Sequence, residues 1–175
     1  MTAEATLTTD RLTLAPHGLA DFVDLVAIWA DPAVVRFLGG HPASEEETWA
    51  RLQRYAGSWA LLGYGFWAIR RRSDGQFLGS AGFLEARRTG VASFGGDPEI
   101  GWNLNTAAQG QGYAGEAVAA ALGWGRGRFG RVVAMIHVDN MASAKLAARC
   151  GFGRFADARY KDEPMGLWEY RYPAG

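Results

Sequence analysis

Residues 99–116, EIGWNLNTAAQGQGYAGE, decide the fold of this chain. The first six, Glu99-Ile100-Gly101-Trp102-Asn103-Leu104, read as a strand, and a helical pattern starts near Ala114. Between them Gln109-Gly110-Gln111-Gly112-Tyr113-Ala114 forms a glycine-bearing turn. A helix N-terminus offers backbone N–H groups with no acceptor inside the helix, together with the positive end of the helix dipole, and that suits a phosphate. Glycine there lets ligand oxygens approach the backbone and permits a positive φ. An ordinary strand–helix loop is also rich in glycine, so these six residues alone do not choose between the two.

On the N-terminal side, Leu7, Leu12 and Leu14 sit among threonines in a first strand ending near Pro16. Helical spacing over 18–30 closes at Asp31-Pro32, and a short apolar helix follows over 34–38. Ser44 with Glu47 is a capping box that opens a helix carrying Trp49, Leu52, Tyr55 and Trp59. Residues 66–69 and 77–84 read as strands joined by Arg-Arg-Ser-Asp-Gly, and the loose Gly95-Gly96-Asp97-Pro98 precedes the strand over 99–104. On the C-terminal side, Ala117, Val118, Ala121, Leu122, Gly125 and Phe129 mark the face of a helix, small enough to lie close on a sheet. A strand over 132–138, a helix over 141–150 stopped by Gly151, and two aromatic-rich strands complete the chain. This order predicts one α/β (α+β) domain over 1–175.

The composition excludes several classes. Lys+Arg and Asp+Glu both number 18 in 175 residues, so there is no basic excess for nucleic acid or an anionic membrane. One cysteine, Cys150, cannot form an internal disulfide, and His17, His41 and His137 show no metal-ligand spacing. No metal is expected. The N-terminus lacks a basic and apolar leader pattern and no apolar run reaches spanning length, so a cytoplasmic protein is expected.

Two owners compete for the phosphate turn. Gly110-x-Gly112-x-x-Gly115 fits the dinucleotide fingerprint, with Asp139 placed as a ribose acid. Against it, Asn105-Thr106-Ala107-Ala108-Gln109 separates strand from glycines, and few residues follow for a parallel fold. The alternative pattern Gln/Arg-x-x-Gly-x-Gly/Ala, met by Gln109, Gly112 and Ala114, resembles the acetyl-CoA signature of the GCN5-related N-acetyltransferases (GNAT). Pro98-Glu99-Ile100-Gly101-Trp102 resembles the fourth strand of that family. Asp139-Asn140-Met141-Ala142-Ser143, continuing to Cys150-Gly151-Phe152, resembles its Asn-x-x-Ser…Gly-Phe segment. Thr9-Asp10-Arg11-Leu12-Thr13-Leu14 and Gly65-Phe66-Trp67-Ala68-Ile69 are similar to the branch of ribosomal-protein N-terminal acetyltransferases, RimJ and RimL among them.

The resemblance implies a mixed, mostly antiparallel sheet of six to seven strands, splayed between the fourth and fifth, with acetyl-CoA as co-substrate. It implies that Gly110 and the backbone of Gln111, Gly112, Tyr113, Ala114 and Gly115 bind the diphosphate, while Gln109 shapes the turn. Trp102, Asn103 and Leu104 would pair with the pantetheine arm, and Asn140 and Ser143 would meet CoA. Acyl transfer needs a neutral amine. At pH 7 an α-amino group is about 10–20% neutral and a lysine under ~0.1%. Glu99 is the first candidate base and Glu85 its competitor. Many family members carry a tyrosine acid seven residues after the Asn. Here that position is Ala147, which leaves Ser143 as the nearest hydroxyl for the departing thiolate. Trp29, Phe37 and Leu38 lie where the family walls its acceptor pocket. The acceptor is a small-molecule or protein N-terminal amine. An acyl-CoA-binding module without turnover stays open, as does the oligomeric state, a homodimer included.

Overall fold

The N-terminal segment expected as one strand is two. β1 (Leu7–Thr8) and β2 (Leu12–Pro16) are joined by a tight turn in which Thr9 N–H donates to Leu12 O at 2.9 Å and Leu12 N–H to Thr9 Oγ1 at 2.9 Å. The computed structural model describes residues 5–91, 94 and 96–173, so Gly95 of the loose segment lies outside the described residues. After β2 come α1 (Phe22–Ala30), α2 (Pro32–Val35) and α3 (Glu45–Leu62), then β3 (Phe66–Arg71), β4 (Phe77–Leu84) and β5 (Glu99–Leu104). The chain continues through α4 (Tyr113–Gly125), β6 (Arg131–His137), α5 (Met141–Arg149), β7 (Gly153–Tyr160) and β8 (Glu163–Arg171).

Two helices differ from expectation. The short helix predicted over 34–38 is α2, which starts earlier because Asp31 caps it by accepting from Ala33 N–H at 2.9 Å. α4 stops at Gly125 rather than reaching Phe129, whose ring packs 5.0 Å from Phe83 instead. The Ser44–Glu47 capping box on α3 is present, with both reciprocal hydrogen bonds.

The strands form one sheet in the order β1-β2-β3-β4-β5-β6-β8-β7, with the short edge strand β1 raising the count above the expected six or seven. Every pairing is antiparallel except β5 with β6. That parallel pair has a single registered position, Glu99 opposite Val133, supported by Val133 N–H to Pro98 O at 3.0 Å. Beyond it β5 and β6 part toward Leu104 and His137. This is the expected splay, moved up one strand by β1. A sheet with one parallel pairing is also incompatible with a doubly wound dinucleotide fold.

Alternation along the strands sorts the two faces. Leu12, Leu14, Trp67, Ile69, Phe83, Ile100, Val132 and Ala134 pack against Ala117, Val118 and Ala121 of α4 and Leu146 and Ala147 of α5. On the opposite face Phe66, Ala68 and Phe77 meet Leu25, Ile28, Trp29, Leu52 and Tyr55 from α1 and α3. Farther along that second face, Val91 and Phe94 cover Val133 and Leu167. β5 is therefore two-sided: Ile100, Trp102 and Leu104 join the α4 layer, and Glu99, Gly101 and Asn103 look the other way. Among the described residues no helix is long and apolar enough to cross a membrane.

Candidate active site

The turn before α4 has the form of an anion cradle. Gly110 and Gly112 hold φ of 75° and 82°, a region that a side chain strains. Gln109 Nε2 donates to Leu104 O at 3.1 Å, tying the turn back to the end of β5. Gln111 Nε2 braces the loop on Ala107 O at 2.7 Å. Gly112 is the N-cap of α4 and supplies no side-chain cap, and the first bond of the helix is Glu116 N–H to Gly112 O. The N–H groups of the first turn thus keep their donors for another acceptor. A Cβ built on Gly110 or Gly115 meets no atom within 4 Å, so the space over the turn is open. A diphosphate fits this donor set.

Beside the cradle the sheet opens. Along Trp102, Asn103 and Leu104 the edge of β5 turned toward β6 has no ladder partner, which leaves backbone groups for a pantetheine amide. Trp102 Nε1–H donates to Ser143 Oγ at 3.3 Å, bridging β5 and α5 on the α4 side of the sheet. Asn140 caps α5 by accepting Ser143 N–H at 3.1 Å, which leaves its amide N–H groups unused by the cap.

Of the two candidate bases, Glu99 lies on the other face, where it stands opposite Val133. Glu99 is buried, and Arg88 grips it at both oxygens, Nε to Oε2 at 2.6 Å and Nη2 to Oε1 at 2.7 Å. The Arg88 guanidinium also lies 4.6 Å from the centroid of the Tyr160 ring. This bidentate pair occupies both oxygens of the carboxylate. Glu85 is more exposed, and its Oε1 lies 2.8 Å from Arg87 Nε. Both acids line a cleft of about 480 Å³, with Arg88, Val91, Phe94 and Asp97 among its other walls.

The three acceptor-wall residues fall in different settings. Trp29 is buried between α1 and α3, and the Arg51 guanidinium covers its ring at 3.4 Å. Phe37 reaches the C-terminal end of β6, its ring 5.2 Å from His137, and Leu38 is partly exposed beside it. His137 accepts Asp139 N–H on Nδ1 at 3.1 Å, so Nε2 carries the proton toward Glu163 Oε2 at 3.1 Å. Asp31 Oδ2 accepts from Thr106 Oγ1 at 2.7 Å, which ties this helical layer to the loop leading into the cradle.

Cys150 is half-buried against the core, and burial pushes its thiol pKa up, as suits a packing residue rather than a nucleophile. Among the described residues no three His, Cys, Asp or Glu side chains are placed to hold a metal ion.

Several pairings were not readable from sequence. Arg88 on Glu99, Trp102 on Ser143 and Thr9 and Arg11 on Glu116 join residues 11 to 107 positions apart. One local signal existed. Glu116 stands in the first turn of a helix meant to hold an anion, so it requires a cation, though nothing local says which.

The parallel strand pair opens beside an uncapped helix N-terminus, with the Ser143 hydroxyl on one face and the Glu99 carboxylate on the other, an arrangement with room for a thioester donor and an amine acceptor. The profile of the acetyltransferase (GNAT) domain matches residues 11–153, and the chain belongs to that family. A GnaT-family acetyltransferase structure from Bordetella pertussis is 33% identical, with a TM-score of 0.82 over 94% of this chain and 98% of that one. An acetyltransferase from Agrobacterium tumefaciens is 28% identical, with a TM-score of 0.83 over 95% and 94% of the two chains. The ribosomal-protein α-N-acetyltransferase RimL, solved with coenzyme A, shares 20% identity and a TM-score of 0.78 over 97% and 98%. The chain is an acetyl-CoA-dependent N-acetyltransferase.

Proposed function

We propose that the chain moves an acetyl group from acetyl-CoA to a primary amine, either a protein N-terminal α-amino group or a small-molecule amine, by direct attack. One observation carries this reading: Ser143 and the candidate base Glu99 lie on opposite faces of the splayed sheet. The donor enters from the α4 side, with its diphosphate on the turn over 110–115 and its pantetheine arm along Trp102, Asn103 and Leu104. The acceptor enters from the cleft lined by Glu85 and Glu99 and meets the thioester in the gap.

In the reaction the neutral amine attacks the carbonyl carbon, the C–S bond breaks, and the ammonium proton leaves on the acceptor side. Glu85, the more exposed of the two acids, takes that proton directly or through water. Glu99 and Arg88 hold the wall of the cleft and set its charge. Ser143 accepts the Trp102 N–H, so its own O–H points to the departing sulfur. A thiol with pKa near 8.5 needs no stronger acid than this. Phe37 and Leu38 stand by His137 at the open end of the gap, apart from the Glu85–Glu99 cleft, and meet the distal part of the acceptor there, with Trp29 as a third acceptor-side residue. Asn140 adds an amide contact to the donor. Placement in the ribosomal-protein N-terminal branch draws support from the N-terminal motif and the RimL-like fold. Zero net charge and one cysteine agree with a cytoplasmic enzyme.

The test is thiol release from acetyl-CoA over a panel of peptides with free α-amino groups, the same peptides blocked but carrying lysine, a polyamine and an aminoglycoside. Acetylation of a free amine in the panel is the expected result. Saturable CoA binding without cleavage on any amine would make the chain an acyl-CoA-binding module. NAD raising the melting temperature where acetyl-CoA does not would return the cradle to a dinucleotide, since saturation near 100 Kd adds about 2.7 kcal/mol.

A further inference from the structure

The N-terminal motif Thr9-Asp10-Arg11-Leu12 has no part in the chemistry above, yet its turn folds against the cradle. Glu116, in the first turn of α4, accepts Thr9 Oγ1 at 2.5 Å and Arg11 N–H at 2.9 Å on Oε1, and Arg11 Nε at 2.7 Å on Oε2. The same guanidinium donates from Nη1 to Gln111 O at 3.0 Å and lies 4.6 Å from the centroid of the Tyr113 ring. Its third nitrogen, Nη2, is given to no hydrogen-bond acceptor among the described residues and stands 3.4 Å from where a Cβ on Gly112 would sit.

Each contact has a consequence for an anion in the turn. A bare carboxylate one turn into α4 would oppose a diphosphate through the field of the same helix end. Three donors from the β1–β2 turn neutralise and immobilise it, and they hold its charge in place: the Glu116 carboxyl lies below the usual range, because hydrogen bonds from Thr9 and Arg11 outweigh the effect of burial. The grip on Gln111 O fixes the peptide that leads into Gly112, and hence the direction of the N–H groups that follow. The guanidinium itself is half-exposed, so its free edge stays open at the lip of the cradle.

We infer that Arg11 is a positioning residue of the diphosphate cradle: it cancels Glu116, fixes the Gln111–Gly112 peptide and turns its free Nη2 toward the donor's diphosphate. This rests on the acetyl-CoA reading above and assigns to a residue at the other end of the chain the task of setting donor affinity.

The experiment compares Arg11→Gln, Arg11→Lys, Thr9→Val and Arg11→Gln/Glu116→Gln with the natural chain, using acetyl-CoA and S-acetyl-pantetheine, a donor without the diphosphate. Arg11→Gln is expected to raise KM for acetyl-CoA about tenfold or more, equal to ~1.4 kcal/mol, with kcat within about twofold. With S-acetyl-pantetheine its kcat/KM stays at the natural value. Removing Glu116 as well recovers part of the acetyl-CoA affinity, and Arg11→Lys keeps part of it. Equal losses with both donors would make the contact purely structural and overturn the inference, as would an unchanged KM. If Arg11→Gln does not fold, Thr9→Val, which keeps both charges, gives the same contrast at smaller amplitude. A natural chain that cleaves neither donor would fail the acetyl-CoA reading itself, which is a separate result.

Discussion

Trp102 and Ser143 meet across the opened sheet, the indole N–H of β5 donating to the hydroxyl oxygen of α5 at 3.3 Å. The bond sets the hydroxyl's direction, because an oxygen that accepts from one side offers its proton to the other. A sulfur leaving through the gap would receive it. Removing the hydroxyl by Ser143→Ala is expected to lower kcat about tenfold with little change in KM for acetyl-CoA. Trp102→Phe, which keeps an aromatic side chain but deletes the N–H together with part of the ring system, gives a smaller drop of the same kind. Steady-state kinetics with thiol detection decides it; a change confined to KM would remove Ser143 from the departing thiolate.

The two acids in the cleft are expected to separate under substitution. Glu85→Gln lowers kcat about a hundredfold and leaves KM for acetyl-CoA nearly unchanged, as loss of a base does. Glu99→Gln acts first on stability, because it leaves the partly buried Arg88 guanidinium without its bidentate partner, at a cost of up to about 3 kcal/mol. Denaturant melts together with steady-state kinetics distinguish these outcomes. A Glu85→Gln enzyme with natural kcat, alongside a stable and inactive Glu99→Gln enzyme, would hand the role of base to Glu99.

The strand–turn–helix over 99–116 was legible because its signals are local: alternating strand residues, two glycines that must hold positive φ, and small residues on the helix that follows. The capping box at Ser44 and Glu47 was legible for the same reason. The break between β1 and β2 was not, since both halves are Leu/Thr-rich and the turn is made by Thr9 and Leu12 bonding across it. The charge state of the site was equally hidden. Glu99 reads as an available carboxylate until Arg88 is found on it, and Glu116 as a routine first-turn acid until the N-terminus is found to fold back onto it. Pairings of this kind depend on sheet order and loop path, which strand and helix periodicity do not encode.

Asp21 is expected to carry a measurable part of the acid stability. It is buried beneath α1, where Arg70 Nη2 lies 2.5 Å from its Oδ1, Gly18 N–H donates to Oδ2 at 2.8 Å, and His17 Nδ1 stands 3.5 Å away. Burial alone would raise its pKa, but the adjacent His17 ring and the hydrogen bonds from Gly18 and Arg70 bring it from 3.8 down to about 2. A depressed carboxyl stabilises the fold above its unfolded pKa and loses that contribution as pH falls through the folded one. Asp21→Asn is therefore expected to cost about 2 kcal/mol at neutral pH, with the gap to the natural chain closing between about pH 4 and pH 2. Urea melts across that range test it; a gap independent of pH would mean that the charge on Asp21 does not matter.

Two glycines make opposite forecasts from the same substitution. At Gly82, in the middle of β4, a Cβ would stand 2.3 Å from Gly65 O and 2.4 Å from Phe66 Cα, both backbone atoms of the neighbouring strand segment. Neither can rotate away, so Gly82→Ala must push β3 and β4 apart at the point where Phe66 stacks on Tyr55 with ring centroids 4.7 Å apart. The expected loss is about 2–3 kcal/mol. At Gly123, inside α4, a Cβ meets nothing within 4 Å and φ is not positive. There alanine costs no contact and restricts the unfolded chain, so Gly123→Ala is expected to add about 0.5 kcal/mol. Thermal melts of the two variants beside the natural chain decide both. A neutral Gly82→Ala would show that β3 and β4 are not held at this spacing, and a destabilising Gly123→Ala would show that the outer side of α4 is covered in solution.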